Sequence, residues 1–439
     1  MISKKSRIFT LLMVFSAILA FWGSSFQPVS GQTPEPPRIC SRPFQPVAVA
    51  LTDLGGAEYI RMDGKPTGFT GGLYADGSNT PPAQHEAAGL ALADQIQPLT
   101  VDGKLDGEKG KIVFISIGMS NTAIEFEAFN RLAKQNAQFN QQVILFNGAL
   151  SGLTSEKWID PQAIGWQQLE GKISKYSFSP LQVQAAWVKL TQTGGGEFPQ
   201  KAQALQADLE VIVQHLKQKF PNLKLVFLSS RTRSYTYWRG LSPEPLAYET
   251  GFAVKWLIEK QIAGDPALNY DPQKGEVKAP FLSWGPYLWA DGENPRKDGF
   301  LWLAGDMRAD CTHPSEQGAE KVAQLMWDFF STDTLARGWF LSQGVKAVPT
   351  ITREIEEPPV TPFPVLTETQ KSSMEITSVP STSTPLYPTE EFLVVESTEE
   401  STNRGMTPIN LIEGGLILLG GVLVVSVLLS RRRRKKPAE

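Results

Sequence analysis

A serine at a strand-to-helix corner and, far downstream, an aspartate three residues ahead of a histidine are the parts of this 439-residue chain best suited to chemistry. The first lies in Gly118-Met119-Ser120-Asn121, directly after the apolar run Ile112 to Ile117, which reads as a buried strand of the α/β type. Behind it, Thr122 and Glu125 have capping-box spacing, and Ile124, Ala128 and Leu132 form a helical stripe. Ser120 is therefore expected on a tight turn near the positive end of a helix dipole, which favours the oxyanion that an attacking serine generates. The second motif is Asp310-Cys311-Thr312-His313-Pro314-Ser315. Its spacing lets Asp310 accept a hydrogen bond from one ring nitrogen of His313 and leaves the other free as a base. Together the two motifs point to a serine hydrolase.

A third block lies between them: after the strand-like Gln142 to Phe146 comes Asn147-Gly148-Ala149-Leu150-Ser151-Gly152-Leu153-Thr154. The ordered set resembles the SGNH/GDSL hydrolase superfamily over roughly residues 110 to 335. Its Ser-Asn pair is more like the Gly-Gln-Ser-Asn block of the sialate O-acetylesterase and acetylxylan esterase branch than like Gly-Asp-Ser-Leu. The resemblance implies Ser120, Asp310 and His313 as the catalytic set, and an oxyanion hole built from the N–H groups of Ser120 and Gly152. The usual third donor, an Asn in Gly-x-Asn-Asp after the third strand, is missing. The chain there runs Val183 to Val188 and on through Lys189-Leu190-Thr191-Gln192, so Lys189, Thr191 or Gln192 is left to supply it, with Lys189 placed first. A lost oxyanion donor costs about 3 kcal/mol of transition-state stabilisation, which bears on rate more than on reaction type.

Each motif has a plainer reading. Serines cap helices far more often than they attack substrates. Of the three histidines, His215 flanks the stripe Leu205, Leu209, Ile212 and Leu216 of an amphipathic helix, and His85 reads either as structural or as facing the cleft; His313 is the base of choice. No spacing of His, Cys and carboxylates predicts a metal site, and the chemistry needs no cofactor. Asn121, Arg231, Tyr235, Trp284 and Trp289 are the expected substrate contacts: aromatic faces with nearby Arg and Asp suit sugars, although aromatics in long loops also pack satellite cores. Asp76-Gly77-Ser78-Asn79 reads as a turn.

Positioning these residues requires strands near 112, 143, 184 and 224 alternating with helices near 123, 202 and 250. That pattern predicts an α/β fold, a three-layer doubly wound parallel sheet of flavodoxin-like type. The resemblance adds the strand order 2-1-3-4-5, with Ser120 at the topological switch point.

The ends set the compartment. Lys4, Lys5 and Arg7 precede the apolar run Ile8 to Trp22, so residues 1–31 read as a signal peptide. Residues 32–110 read as an N-terminal extension packed on the hydrolase domain of 111–348. Residues 349–405, rich in Pro, Ser, Thr and Glu, read as a disordered stalk with an end-to-end distance of about 40 Å. Residues 406–430 read as one membrane helix and 431–439 as a basic tail, which places the tail in the cytoplasm and the remainder outside. A formal net charge of -3 gives no nucleic-acid footprint. The only two cysteines, Cys40 and Cys311, are expected to pair in an oxidising compartment. The expectation is a cell-surface esterase that removes an O-acyl group, an O-acetyl group being one case, from extracellular carbohydrate or another small ester. The alternative is a non-catalytic carbohydrate-binding or adhesion module on the same scaffold.

Overall fold

The computed structural model describes Cys40 and residues 44–342. The expected signal peptide, stalk, membrane helix and basic tail lie outside the described residues. Among those described, no helix is long and apolar enough to cross a membrane.

Five strands form one parallel sheet: β3 (Ile112–Gly118), β4 (Val143–Asn147), β5 (Val183–Lys189), β6 (Leu225–Leu228) and β7 (Phe281–Trp284) follow β1 (Glu58–Ile60) and β2 (Pro66–Thr70), which pair separately as a small antiparallel ribbon. The sheet order is β4-β3-β5-β6-β7, which is 2-1-3-4-5 when counted within the sheet, as expected. Every residue of β3 and β5 is buried, the signature of strands covered on both faces.

Successive side chains of β3 serve opposite layers. Val113, Ile115 and Ile117 pack with α4 (Ile164–Lys175), α5 (Gln200–Lys219) and α6 (Leu246–Ile262) through Trp166, Leu209, Ile212 and Phe252. Ile112 and Phe114 face α3 (Ser120–Gln135), α7 (Glu316–Thr332) and α8 (Arg337–Phe340). There Phe114 meets Phe126, Phe330 and Trp339 edge-on, with ring centroids 5.8, 5.0 and 5.6 Å away. Each such side chain contributes about 1.5–3 kcal/mol by leaving water. Three layers result.

Several elements stood outside the sequence pattern, among them β1, β2, β7, α4, α7 and α8. The segment Phe281–Trp284, expected in an aromatic loop, is instead the edge strand β7. At four residues, between Pro280 and Gly285-Pro286, it is too short for periodicity to show. Helix α7 carries a readable pattern of its own, with Ser315 as N-cap and Val322, Met326 and Phe330 on one buried face.

Residues 44–110 enter both cores. Leu51 of α1 (Leu51–Leu54) is buried against Gly251, where an added Cβ would come within 2.6 Å of the Leu51 side chain. Its N–H donates to Tyr287 Oη at 3.1 Å. Tyr59 sits among Phe198, Tyr248 and Phe252 at 5.4, 4.8 and 5.4 Å. On the other face, α2 (Ala83–Ala93) buries His85, stacked on Phe281 at 4.2 Å with Nε2 3.0 Å from the Leu282 carbonyl. His85 is thus a packing residue. Leu51→Ala is expected to cost about 2–5 kcal/mol, read as a lower urea midpoint at unchanged slope. A loss under about 1 kcal/mol would show that residues 44–110 do not share the sheet's cooperative core.

Candidate active site

The corner between β3 and α3 is set by Gly118. A Cβ there would lie 2.2 Å from Thr122 Oγ1, so only glycine lets the helix begin so close behind the strand. Met119 is extended and serves as N-cap without a side-chain bond, which makes Ser120 the first helical residue, with an N–H that α3 itself cannot satisfy. The expected capping box does not form. Thr122 Oγ1 donates instead to the Lys189 carbonyl at 3.0 Å, and Glu125 pairs with the Lys189 side chain.

The downstream motif folds into a tight loop: the Arg308 N–H donates to the His313 carbonyl and the Cys311 N–H to the Arg308 carbonyl, both at 2.8 Å. Cys311 takes φ +58°, a left-handed conformation uncommon for a residue with a Cβ. It is disulfide-bonded to Cys40, with Cα atoms 5.3 Å apart. Asn121 Nδ2 donates to the Thr312 carbonyl at 2.7 Å, which clamps the loop onto the start of α3. Asn121, expected as a substrate contact, is buried in this clamp.

These constraints bring three side chains into line. His313 Nε2 lies 2.7 Å from Ser120 Oγ, and His313 Nδ1 lies 2.8 Å from Asp310 Oδ2. A carboxylate only accepts, so Nδ1 donates to it and Nε2 is left to accept from the serine hydroxyl. Asp310 Oδ1 accepts from the N–H groups of Thr312 and His313 at 3.0 and 2.9 Å. Burial alone would raise the Asp310 carboxyl, but these donors and the imidazole outweigh it and hold the group below the usual carboxylate range. The His313 and Asp310 side chains keep 31% and 46% exposure, so the set opens to solvent at the carboxyl edge of the sheet.

Gly152 arrives from β4. The Leu150 N–H donates to the Gly118 carbonyl at 3.0 Å, which draws this segment beside the serine corner. Gly152 has φ +72°, a conformation open to glycine, and its N–H has no acceptor among the described residues.

The other expected contacts are redistributed by burial. Lys189 is no free donor: its ammonium is buried in an ion pair with Glu125, the reverse of the expected oxyanion role. Trp284 and Trp289 are core residues rather than a cleft wall, their indole N–H groups donating to the Leu73 carbonyl and to Glu244 at 2.6 and 3.0 Å. Tyr235 is half-buried with its hydroxyl donating to the Trp302 carbonyl at 2.5 Å. Arg231 is buried beyond the end of β6. Sequence reasoning missed Glu125; the available signal was a lone carboxylate on the apolar face of α3.

No family model matches the chain, and no curated protein does. Among solved structures, the chain has a likeness to an Arabidopsis thaliana protein at 10% identity, covering 49% of this chain and 98% of that one, with a TM-score of 0.28. A carbohydrate esterase family 3 from Talaromyces cellulolyticus is similar at 12% identity, covering 49% and 93%, with a TM-score of 0.26.

Burial raises the Glu125 carboxyl against the pull of Lys189, and burial lowers the Lys189 ammonium against the pull of Glu125. Glu125 Oε1 has no partner among the described residues. Breaking such a pair from one side strands a buried charge, whereas removing both need not be costly. Lys189→Met is therefore expected to lose about 3–5 kcal/mol in urea unfolding, and the double variant Lys189→Met/Glu125→Leu to recover most of it. Additive losses would show that the two charges act independently.

Proposed function

We propose that the protein is a serine esterase of SGNH-like type that removes an O-acyl group from carbohydrate. The observation that carries this reading is the continuous chain Ser120–His313–Asp310 at the first turn of a helix. In the first half-reaction Ser120 Oγ attacks the ester carbonyl carbon while His313 Nε2 takes the hydroxyl proton. The N–H groups of Ser120 and Gly152 receive the oxyanion. The tetrahedral adduct then collapses: the C–O bond to the alcohol breaks, His313 returns the proton to that oxygen, and Ser120 is left acylated. Water, deprotonated by His313, attacks the acyl carbon in the second half and frees the acid and the serine. Asp310 holds the imidazole in the required tautomer throughout.

The carbohydrate part of the reading rests on the segment leaving β6, where Tyr237 and Trp238 are 65% and 66% exposed. Flat, amphipathic rings at the carboxyl edge suit sugar stacking. They take the place of the buried Trp284 and Trp289. The second reading, a binding module without turnover, is favoured by one observation, the withdrawal of Lys189 into its ion pair.

Ser120→Ala and His313→Ala are each expected to lower kcat on a short-chain aryl ester by about 10⁴- to 10⁶-fold. Thermal unfolding should stay within about 1–2 kcal/mol of wild type, because these groups serve chemistry rather than packing. Near-wild-type turnover in either folded variant would refute the triad. A folded wild-type protein inert on every short-chain ester would favour the binding module.

We propose further that the enzyme works outside the cell on a membrane anchor. Two features support this: the apolar runs near both ends of the chain, and a disulfide of the kind that persists in oxidising compartments. Protease added to intact cells should release the soluble domain by cutting within residues 349–405. Protection until lysis would reverse the orientation.

A further inference from the structure

Arg231 is unlike the other buried cations near the site. Lys189 has Glu125, and Arg233 has Asp291 together with the Gln45 carbonyl. The Arg231 guanidinium has no hydrogen-bond partner among the described residues; only its backbone N–H is engaged, donating to Thr250 Oγ1 at 3.0 Å. The residue is 4% exposed, yet none of its guanidinium nitrogens is wholly sealed from solvent. A cation has been brought almost fully out of water with no acceptor among the described residues for its side-chain donors.

Nearby carboxylates do not answer it. Glu125 and Glu244 are the charges that act on Arg231. Glu244 accepts from the N–H groups of Ser234 and Tyr248 and from the indole of Trp289. Glu125 gives one oxygen to Lys189, and its other oxygen accepts from no group among the described residues. An unmet guanidinium with five N–H donors in a fixed fork is costly to bury, and its best complement is a planar or tetrahedral oxyanion.

Its place in the sheet puts it beside the reaction. The Ser229 N–H donates to the Val188 carbonyl at 3.0 Å, and Arg231 follows two residues on, above the carboxyl edge. Its strand β6 is separated from β3 by β5 alone, a lateral distance of about 10 Å at ordinary strand spacing. Glu125 feels the charges of both Arg231 and His313.

We propose that Arg231 binds an oxyanion, a carboxylate or a sulfate, carried by the carbohydrate next to its ester, so that the protein selects acidic over neutral O-acyl glycans. The selectivity rests on the esterase reading; the anion site does not.

The test compares kcat/KM of the full-length protein on three acetylated methyl glycosides: glucoside, glucuronoside and glucoside 6-sulfate. One or both acidic substrates should be preferred over the neutral one by about 10- to 100-fold, the range for a hydrogen bond to a charged group. A preference for the glucuronoside alone identifies a carboxylate, for the sulfate ester alone a sulfate. The preference should shrink to within about twofold of unity in Arg231→Gln and return in part in Arg231→Lys, which keeps the charge without the fork. In parallel, calorimetric titration of Ser120→Ala protein should detect glucuronate or glucose 6-sulfate but not glucose, and Arg231→Gln in that background should abolish the signal. Binding without hydrolysis of any ester would leave the anion site standing and sink the esterase reading. Equal rates on all three substrates in wild type with no anion binding would overturn the proposal, whether or not the variants fold. So would a preference that persists in Arg231→Gln.

Discussion

The contact between Gly118 and Thr122 is the constraint on which the site is built. With no Cβ at 118, α3 starts almost on top of the strand that feeds it, and Thr122 reaches the Lys189 carbonyl on the neighbouring strand. In register, Gly118 lies opposite Lys189, so one corner fixes the helix, the ends of two strands and the height of Ser120. A parallel sheet buried on both faces leaves such a corner little room to adjust, because its strands are held by cores on two sides.

The base is placed from the opposite direction and by other means. Its loop is bound to the start of α3 by Asn121, to itself by Asp310, and to the distant Cys40 by the disulfide. These bonds converge on a stretch that contains a left-handed Cys311, a conformation that persists only where its surroundings over-determine it. The loop therefore presents the imidazole as a rigid element, although it lies at the surface.

Below the reactive groups lies a set of buried charges whose distribution is uneven. Glu125 and Lys189 neutralise each other, as do Arg233 and Asp291, and Glu244 is satisfied by N–H donors. Against this balance, the guanidinium of Arg231 feels two carboxylates but has no hydrogen-bond partner among the described residues. Uncompensated polar groups in a folded protein concentrate where a ligand completes them.

The blocks around Ser120, Gly152 and His313, the apolar runs of β3 to β5 and the pair of cysteines were legible in the chain itself. Each depends on local spacing, on runs long enough to show burial, or on there being one possible partner. The order of the five strands was implied by the resemblance those blocks carry, not by the alternation of strands and helices. What the residues did with their surroundings was decided only in three dimensions. Trp284 and Trp289 have the composition of a sugar-binding wall, yet long-range packing sends both into the core and leaves Tyr237 and Trp238 outside. Lys189 has the chemistry of an oxyanion donor, but a glutamate 64 positions away takes it. Burial and pairing are properties of contacts between segments distant in sequence, and local spacing carries no record of them. For that reason the sequence determined which groups could react, and only the tertiary structure decided which of them remain free to do so.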